Sequence, residues 1–271
     1  MPLVSVLMSA HNDALFLQEA VDSVLAQSLR DLELILVDDA SADPVESLAD
    51  PRVTVLRNDA RLGLAASLNR ALEHATGRYV ARLDADDVAL PGRLERQVER
   101  LRGNARTAVV GSAVVDLDEH GVRGRTHVMP RGATALRWHA LFSSPFFHPT
   151  VLVDRDVLER HGLRYDPEFL ESEDYDLWTR LFEFADGANL REPLVLKRVH
   201  PGQASLRRRD LQESFQRRVA LREIERVAPE VDAEAAWRGS RRELVRLLRA
   251  FERRHGADWE VRKAALRALL R

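Results

Sequence analysis

The first hundred residues alternate between two patterns of hydrophobic and polar positions. Short apolar runs rich in β-branched residues predict buried strands at 4–9, 32–37, 52–57 and 78–83. Apolar side chains at helical spacing predict helices at 14–28, 64–75 and 91–101, the last with Pro91 in its first turn. Strands that alternate with helices predict a parallel sheet covered on both faces, with ligands at the carboxyl ends of its strands.

The pattern after residue 103 is less regular. It predicts a hairpin-like pair of strands at 107–117 and 126–129, further strands at 148–153 and 194–199, and helices at 132–142 and 171–185. From Leu206 onward the sequence is helical and rich in Arg. We therefore predict a domain at 1–205, with halves at 1–103 and 104–205, and a helical extension at 206–271.

Composition narrows the class of protein. With 271 residues, 45% of them hydrophobic and 31% charged, the chain can bury a full core and is globular. No apolar run reaches the ~18 residues that cross a bilayer, and the start lacks the features of a signal peptide, so we expect a cytoplasmic protein. Because there is no cysteine, carboxylates and His remain as metal ligands.

Charge is distributed unevenly along the chain. The net charge of −2 combines −9 in residues 1–205 with +7 from Leu206 to Arg271. In the segment 261–271, apolar and basic residues alternate in a way that suits an anionic membrane surface, but packing against the domain or a homodimer explains the same pattern and is favoured. A solvated helix face is a further explanation of the basic excess, and no nucleic-acid partner is expected.

Two acidic clusters follow strands, VDDASAD at 37–43 and LDADD at 83–87. Parallel strands would bring both clusters to one edge of the sheet. A hard divalent cation, Mg²⁺ or Mn²⁺, could then bridge the carboxylates to a diphosphate, although LDADD alone could be an acidic surface turn. The chain lacks a P-loop motif and has no G-x-G-x-x-G after the first strand, which disfavours P-loop ATP hydrolysis and classical dinucleotide binding.

A third acidic group, EDYD at 173–176, begins a predicted helix. Asp174 and Trp178 are four residues apart and share a face, so a carboxylate could lie beside an aromatic platform for a sugar ring. Alternatively, the acids stabilise the helix N-terminus and Trp178 belongs to the core. His148 and His200 each precede a proline, and each is a structural residue or an additional ligand of a cation held by Asp.

Taken together, these segments closely resemble the family 2 inverting glycosyltransferases of the GT-A fold. The resemblance covers residues 2–205 and rests on VSVLMSAHND, LELILVDDASAD, GLAASLNRALEHATGRYVARLDADDVALPGRLERQV, FHPTVLVDRDVL, ESEDYDLWTRL and LVLKRVHPGQAS. It implies a Rossmann-like α/β fold, with a mixed, mainly parallel sheet flanked by helices. It also implies sugar transfer from a UDP- or dTDP-sugar to a hydroxyl acceptor, in the synthesis of polysaccharide, lipopolysaccharide or another glycoconjugate.

The resemblance assigns the donor contacts to the half at 1–103. Asp39 would contact the nucleobase, and Ser9, His11 and Asn12 would lie against the base and ribose. Asn69 would lie in the helix that borders the nucleotide. His11 stands where many members have an aromatic residue, and Ala40 where many have glycine, so this loop departs from the family pattern.

The same resemblance assigns the metal and the chemistry. Asp84 would face the ribose or the donor sugar, Asp86 would bind the metal, and His200 would complete the metal site near the diphosphate. Asp174 would be the general base. The proposed acceptor-side residues are His148, Glu173 and Trp178.

One carboxylate on the acceptor side is enough for a single displacement that inverts the anomeric carbon. A retaining route would need a nucleophile on the other face of the sugar, and the sequence offers no candidate. The first alternative is a sugar-phosphate nucleotidyltransferase, which would need a glycine-rich basic loop where SAHNDAL stands. The second is a catalytically silent nucleotide-sugar-binding module.

Overall fold

The apolar runs of the first half form four parallel strands. In the computed structural model, which describes residues 1–12, 14–45, 48–200 and 209–270, these strands are β1 (Val4–Ala10), β2 (Leu32–Asp38), β3 (Val53–Arg57) and β4 (Tyr79–Arg82). β1 pairs with β2 and β4, and β2 pairs with β3, all in parallel. Because Ala10 lies opposite Asp38, the loops after these strands leave the sheet at one edge.

Three helices cover this part of the sheet, as the periodicity predicts. They are α1 (Ala14–Leu25), α2 (Leu64–His74) and α3 (Arg93–Arg102). The buried face of α2 includes Leu68 and Leu72, at the spacing of one helical turn. Pro91 does not lie in the first turn of α3, because Gly92 adopts a left-handed φ of 78° immediately before the helix.

The second half extends the sheet with strands of both directions. These strands are β5 (Val88–Ala89), β6 (Thr107–Asp118), β7 (Arg123–His127), β8 (Leu152–Asp154) and β9 (Asp186–Val199). The sheet order is β3-β2-β1-β4-β8-β6-β9-β5, and β7 pairs with β6. β8 lies antiparallel between β4 and β6, whereas β6 and β9 are parallel. The structure is therefore the mixed sheet flanked by helices that was expected.

Three strand predictions were wrong in their bounds. The strand predicted at 126–129 begins at Arg123 and ends at His127, because the turn of the hairpin is shorter than expected. The predicted strand at 148–153 begins as a 3₁₀ turn, His148–Thr150, in which Pro149 has no N–H to give to a neighbouring strand. β9 begins at Asp186 rather than at 194. Exposed residues at 191 and 192 interrupt its apolar pattern, where the register with β6 shifts.

The described helices that follow residue 130 flank the second half of the sheet or pack on one another. They are α4 (Ala133–His139), α5 (Arg155–Arg160), α6 (Glu173–Leu181), α7 (Arg209–Val227), α8 (Ala233–Trp237), α9 (Arg241–His255) and α10 (Trp259–Leu269). Trp138 of α4, Phe251 of α9 and Val261 of α10 share one hydrophobic cluster, so the C-terminal helices pack on the domain. The predicted boundary at 205/206 lies outside the described residues and stays a prediction. Among the described helices, none has the length and hydropathy to span a bilayer.

Candidate functional site

A cavity of about 1100 Å³ opens at the edge where β1, β2 and β4 end. It brings together nearly all of the predicted site residues. They are Ser9, His11, Asn12, Asp39, Asp84, Asp86, His148, Glu173, Asp174 and His200. The two acidic clusters therefore meet in one place, as expected of parallel strands. The volume is sufficient for a ligand of nucleotide-sugar size.

At one end of the cavity, the Asp39 carboxylate holds the loop that leads into α2. Oδ1 accepts hydrogen bonds from Asn58 Nδ2 at 2.7 Å and the Leu62 N–H at 2.8 Å, and Oδ2 accepts from the Gly63 N–H at 2.9 Å. Burial opposes ionisation, but these hydrogen bonds outweigh it and lower the pKa of Asp39. The carboxylate is therefore ionised, and about one of its four lone-pair directions remains for a ligand.

The loop after β1 is tied to the loop after β2. His11 Nδ1 donates to the Asp39 carbonyl at 2.8 Å, and the Asn12 N–H donates to Ser41 Oγ at 3.0 Å. Ala40 has a φ of 57°, in the left-handed region that favours glycine. Ala40 therefore adopts the backbone conformation that glycine would favour at this position.

Asn69 does not line this cavity. Its Nδ2 donates to the Tyr165 carbonyl at 2.7 Å, and its Oδ1 accepts from the Tyr165 N–H at 3.0 Å. The amide thus joins α2 to the segment before α6. This geometry gives no support to the predicted nucleotide contact and indicates a structural role.

At the floor of the cavity, the turn after β4 forms a carboxylate cluster. Asp84, Asp86 and Asp87 each offer an oxygen, and these oxygens lie within 4.8 Å of one another. Asp87 is buried, and its Oδ2 has no hydrogen-bond partner in the described part of the chain. Burial and the charges of Asp84 and Asp86 raise its pKa well above the usual range. A hard divalent cation fits this set of oxygen ligands and would relieve their repulsion.

The end of β9 packs against this acidic turn. His200 Nε2 lies 3.1 Å from Asp86 Oδ2. Arg198 donates from Nε to the Asp86 carbonyl at 2.8 Å and from its backbone N–H to Asp87 Oδ1 at 2.7 Å. The predicted metal residues Asp86 and His200 are therefore neighbours, and Asp87 fixes the turn to β9.

Buried Glu173 and half-buried Asp174 are adjacent at the start of α6 and line the same cavity. Burial, and then the charge of Asp174, raise the pKa of Glu173 to about 8. Burial also raises the pKa of Asp174, but Ser144 Oγ donates to its Oδ2 at 2.9 Å and favours the ionised form. The pKa values of both carboxyl groups are therefore raised, and the hydrogen bond from Ser144 favours ionisation of Asp174.

Trp178 is not the aromatic platform that its spacing from Asp174 suggested. It is 1% exposed and packs edge-on against Phe146, His148 and Tyr165. These rings cover Trp178, which belongs to a hydrophobic core cluster, so the alternative interpretation as a core residue is correct. His148 does reach the cavity, and its Nε2 shares a 3.0 Å hydrogen bond with the Tyr165 hydroxyl.

Sequence reasoning missed three residues that line the cavity: Arg82, Ser144 and Lys197. Arg82 is the last residue of β4 and its Nη2 forms an ion pair with Asp84. A charged residue inside an otherwise apolar strand was the available signal for Arg82. Nothing in the pattern around Ser144 distinguishes it from an ordinary loop serine.

The sequence is similar to those of known glycosyltransferases. The profile of the family described as Glycosyl transferase family 2 matches residues 5–162. EpsE of Bacillus subtilis, whose name describes it as a glycosyltransferase, is 38% identical over 71% of this chain and 72% of EpsE. The amylovoran biosynthesis glycosyltransferase AmsE of Erwinia amylovora is 31% identical over 76% of this chain and 79% of AmsE.

The fold is similar to that of a solved structure, the mannosyltransferase PcManGT from Pyrobaculum calidifontis in complex with GDP-Man and Mn²⁺. The TM-score is 0.63 at 20% sequence identity, and the match covers 99% of this chain and 80% of PcManGT. This likeness confirms the GT-A fold, the mixed α/β architecture expected from the sequence.

Proposed function

The chain belongs to glycosyl transferase family 2, and we propose that it transfers a sugar from a nucleoside-diphosphate sugar to a hydroxyl acceptor with inversion. The observation that carries the proposal is the placement of two groups across one cavity. Asp174, held by Ser144, lies on one wall, and the turn of Asp84 and Asp86 lies on the floor. A sugar bound in this cavity would therefore be within reach of both a base and a turn that binds the diphosphate.

The donor is proposed to lie along the edge of the sheet. Its nucleoside would occupy the end formed by Ser9, His11, Asn12 and Asp39, and Asp84 would face the ribose or the sugar. A UDP- or dTDP-sugar is the donor we propose from the resemblance. GDP-mannose is a third candidate, because PcManGT is in complex with GDP-Man.

Asp86 and His200 are proposed to hold a divalent cation, Mn²⁺ or Mg²⁺, with Asp84 or Asp87 as the nearest additional carboxylates. The contribution of such an ion, when bound, is to offset charge on the departing diphosphate. The Lys197 ammonium, which lines the same cavity, would stabilise that charge as well.

Asp174 is proposed to take the proton of the acceptor hydroxyl as the hydroxyl oxygen bonds to the anomeric carbon. The bond from that carbon to the diphosphate oxygen breaks in the same step, so the configuration inverts. Glu173, kept protonated by burial, can donate a hydrogen bond to the acceptor without competing as a base. His148 lies on the same wall and is a second candidate acceptor contact.

The acceptor is proposed to belong to a growing polysaccharide or another glycoconjugate, as the name of AmsE indicates for that relative. Release of nucleoside diphosphate from UDP-, dTDP- and GDP-sugars, with Mn²⁺ or Mg²⁺ and candidate acceptors, tests the proposal. The anomeric configuration of the product, read by NMR, tests inversion. Family membership argues against a nucleotidyltransferase, and a silent module would bind a donor without releasing the diphosphate.

We also propose a peripheral contact between α10 and an anionic membrane at its cytoplasmic face. Val261 packs inward, whereas Trp259, Leu266 and Leu270 are 75%, 57% and 74% exposed along one face of the helix. Lys263 lies on this face and forms no ion pair with the residues that the structure describes. An apolar face with a basic residue and a Trp suits the boundary of an anionic bilayer better than a second copy of equal charge.

Co-sedimentation with vesicles that contain phosphatidylglycerol tests this contact, with pure phosphatidylcholine vesicles as the comparison. We expect binding to the anionic vesicles that Trp259→Ser and Lys263→Glu weaken. A homodimer through this face would instead appear as a concentration-dependent mass that the same substitutions reduce, and that result would exclude the membrane proposal.

A further inference from the structure

Arg82 is enclosed between the carboxylate cluster and the Glu173–Asp174 pair. The residue is 4% exposed, and Nη2 donates to Asp84 Oδ1. Its Nε and Nη1 are buried and have no hydrogen-bond partner within the described ranges. Arg61 and Lys197 also line the cavity, but Arg61 is exposed and Lys197 only half-buried. Among the Arg and Lys residues that line the cavity, Arg82 is therefore the most deeply buried.

The position of Arg82 combines opposing effects on its charge. Burial lowers the pKa of Arg82, but the charge of Asp84 and the hydrogen bond to Asp84 raise that pKa overall. The two guanidinium nitrogens Nε and Nη1 give up water without gaining a partner among the described residues, and this loss opposes folding. The like-charged Arg93 lies directly behind it and donates from Nη2 to the Arg82 carbonyl at 2.6 Å. Burial, and then the charge of Arg82, lower the pKa of Arg93 to about 9. The partner Asp84 is 32% exposed, so its ion pair is partly screened by solvent.

The carboxylates opposite Arg82 would benefit from its charge. Asp174 is faced by Glu173 and Tyr175 of α6, by Ser144, by Arg82 and by Tyr165. Burial raises the pKa of Asp174, and the positive charge of Arg82 is one of the effects that lower it. His148 does not add a second cation, because burial and then Arg82 hold its pKa well below the usual value.

We propose that Arg82 is a positioning residue whose fixed charge keeps Asp174 ionised while its ion pair orients Asp84. The inference rests on the proposed glycosyl transfer, in which Asp174 must be a carboxylate to accept the proton. A buried guanidinium that leaves two nitrogens without a partner among the described residues, yet lines the same cavity as Asp84 and Asp174, is typical of a functional role rather than a structural one.

The test compares Arg82→Met, which removes the charge, with Arg82→Lys, which keeps it. Arg78→Met is the matched control, because Arg78 precedes the opposite end of the same strand and pairs with Asp154 and Asp156. In Arg82→Met we expect the acid limb of kcat to move to higher pH, with a roughly tenfold loss per pH unit of displacement. Arg82→Lys should move the limb less, and Arg78→Met should leave it in place.

Stability distinguishes this role from a structural one. If Arg82 mainly serves the site, Arg82→Met should retain the midpoint of urea unfolding or increase it. A lower midpoint together with a kcat that falls equally at every pH would overturn the proposal, and so would an unshifted acid limb.

A measurement independent of turnover separates this inference from the proposed function. The ¹³C carboxyl signal of Asp174, assigned by its loss in Asp174→Asn, can be titrated in the full chain. We expect its titration to move to higher pH in Arg82→Met. If no donor is turned over but this shift is present, the proposed function fails and the electrostatic role stands. If the titration is unchanged, the role of Arg82 is refuted.

Discussion

His200 Nε2 lies 3.1 Å from Asp86 Oδ2, although β9 and the turn after β4 are far apart in the sequence. Arg198 stabilises this approach by donating to the Asp86 carbonyl. An imidazole nitrogen and a carboxylate at this separation can contact one ion in common. The cation proposed at this site should therefore depend on both residues.

Asp86→Ala should weaken Mn²⁺-dependent donor binding strongly, because it removes the carboxylate that faces the cavity. His200→Ala should weaken it less, by roughly 10- to 100-fold, the range typical of groups that support a metal site. Calorimetric titration with UDP in the presence of Mn²⁺ or EDTA measures the affinity of each variant for the nucleotide. Asp31→Asn, an exposed aspartate before β2, is the control. Donor binding that is insensitive to both EDTA and Asp86→Ala would rule out the metal assignment.

Asp174→Asn should abolish transfer while leaving donor affinity close to that of the unmodified chain. The amide keeps the shape of the side chain but cannot accept a proton from the acceptor. Product formation and the Kd for UDP, measured on the same preparation, separate these effects. Turnover at the original rate would remove Asp174 from the role of base.

Ser144→Ala should move the acid limb of the pH profile of kcat to higher pH. Burial raises the pKa of Asp174, and the 2.9 Å hydrogen bond from Ser144 Oγ opposes that rise by stabilising the carboxylate. Loss of the hydroxyl therefore raises the pKa further, so activity falls at low pH and recovers as the pH increases. Ser144→Thr retains a hydroxyl and should stay close to the original profile. If Ser144→Ala and Ser144→Thr gave the same pH profile of kcat, the hydrogen bond from Ser144 would not contribute to the pKa of Asp174.

The meeting of Asp39 with Asp84 and Asp86 could be predicted from the sequence. Each cluster follows a short apolar run, and parallel strands must deliver the ends of such runs to one edge. The lack of cysteine left His148 and His200 as possible additional ligands, and the resemblance selected His200. The position of β9 in the sheet, beside β6 and β5, is not determined by any local pattern.

The environment of a side chain was harder to predict than its position. Helical spacing places Asp174 and Trp178 on one face, but it does not reveal that Phe146 and Tyr165 cover the Trp. Asn69 shows the same difficulty, because its partner is the backbone of Tyr165, which lies in the other half of the domain. Such contacts depend on tertiary packing, which periodicity does not encode.

Asp39→Asn should destabilise the fold at pH 7 by about 1–3 kcal/mol, since an amide cannot accept all three hydrogen bonds that the carboxylate accepts. These bonds lower the pKa of Asp39 in the folded chain. Its contribution is therefore present above the unfolded value of about 3.9 and is lost as the pH falls through the folded value. Urea unfolding of the unmodified chain and of Asp39→Asn, at pH 7 and at acid pH, measures the difference in their free energies of unfolding. Asp43→Asn, exposed in the same loop, is the control. If the difference in free energy of unfolding between the unmodified chain and Asp39→Asn stayed constant down to pH 3, the ionised Asp39 carboxylate would not be the source of that stability.

Trp178 should matter to stability and not to acceptor recognition. Trp178→Ala leaves a cavity beside Phe146 and Tyr165 and should cost about 3–5 kcal/mol. Trp178→Phe keeps an aromatic ring there and removes an indole N–H that has no partner within the described residues, so its cost should be small. Urea unfolding and the KM for acceptor measure the two effects on each variant. If Trp178 were a platform for the acceptor, Trp178→Phe would raise that KM while leaving stability unchanged. Its 1% exposure predicts an unchanged KM in Trp178→Phe, because no acceptor can reach the ring without unpacking α6.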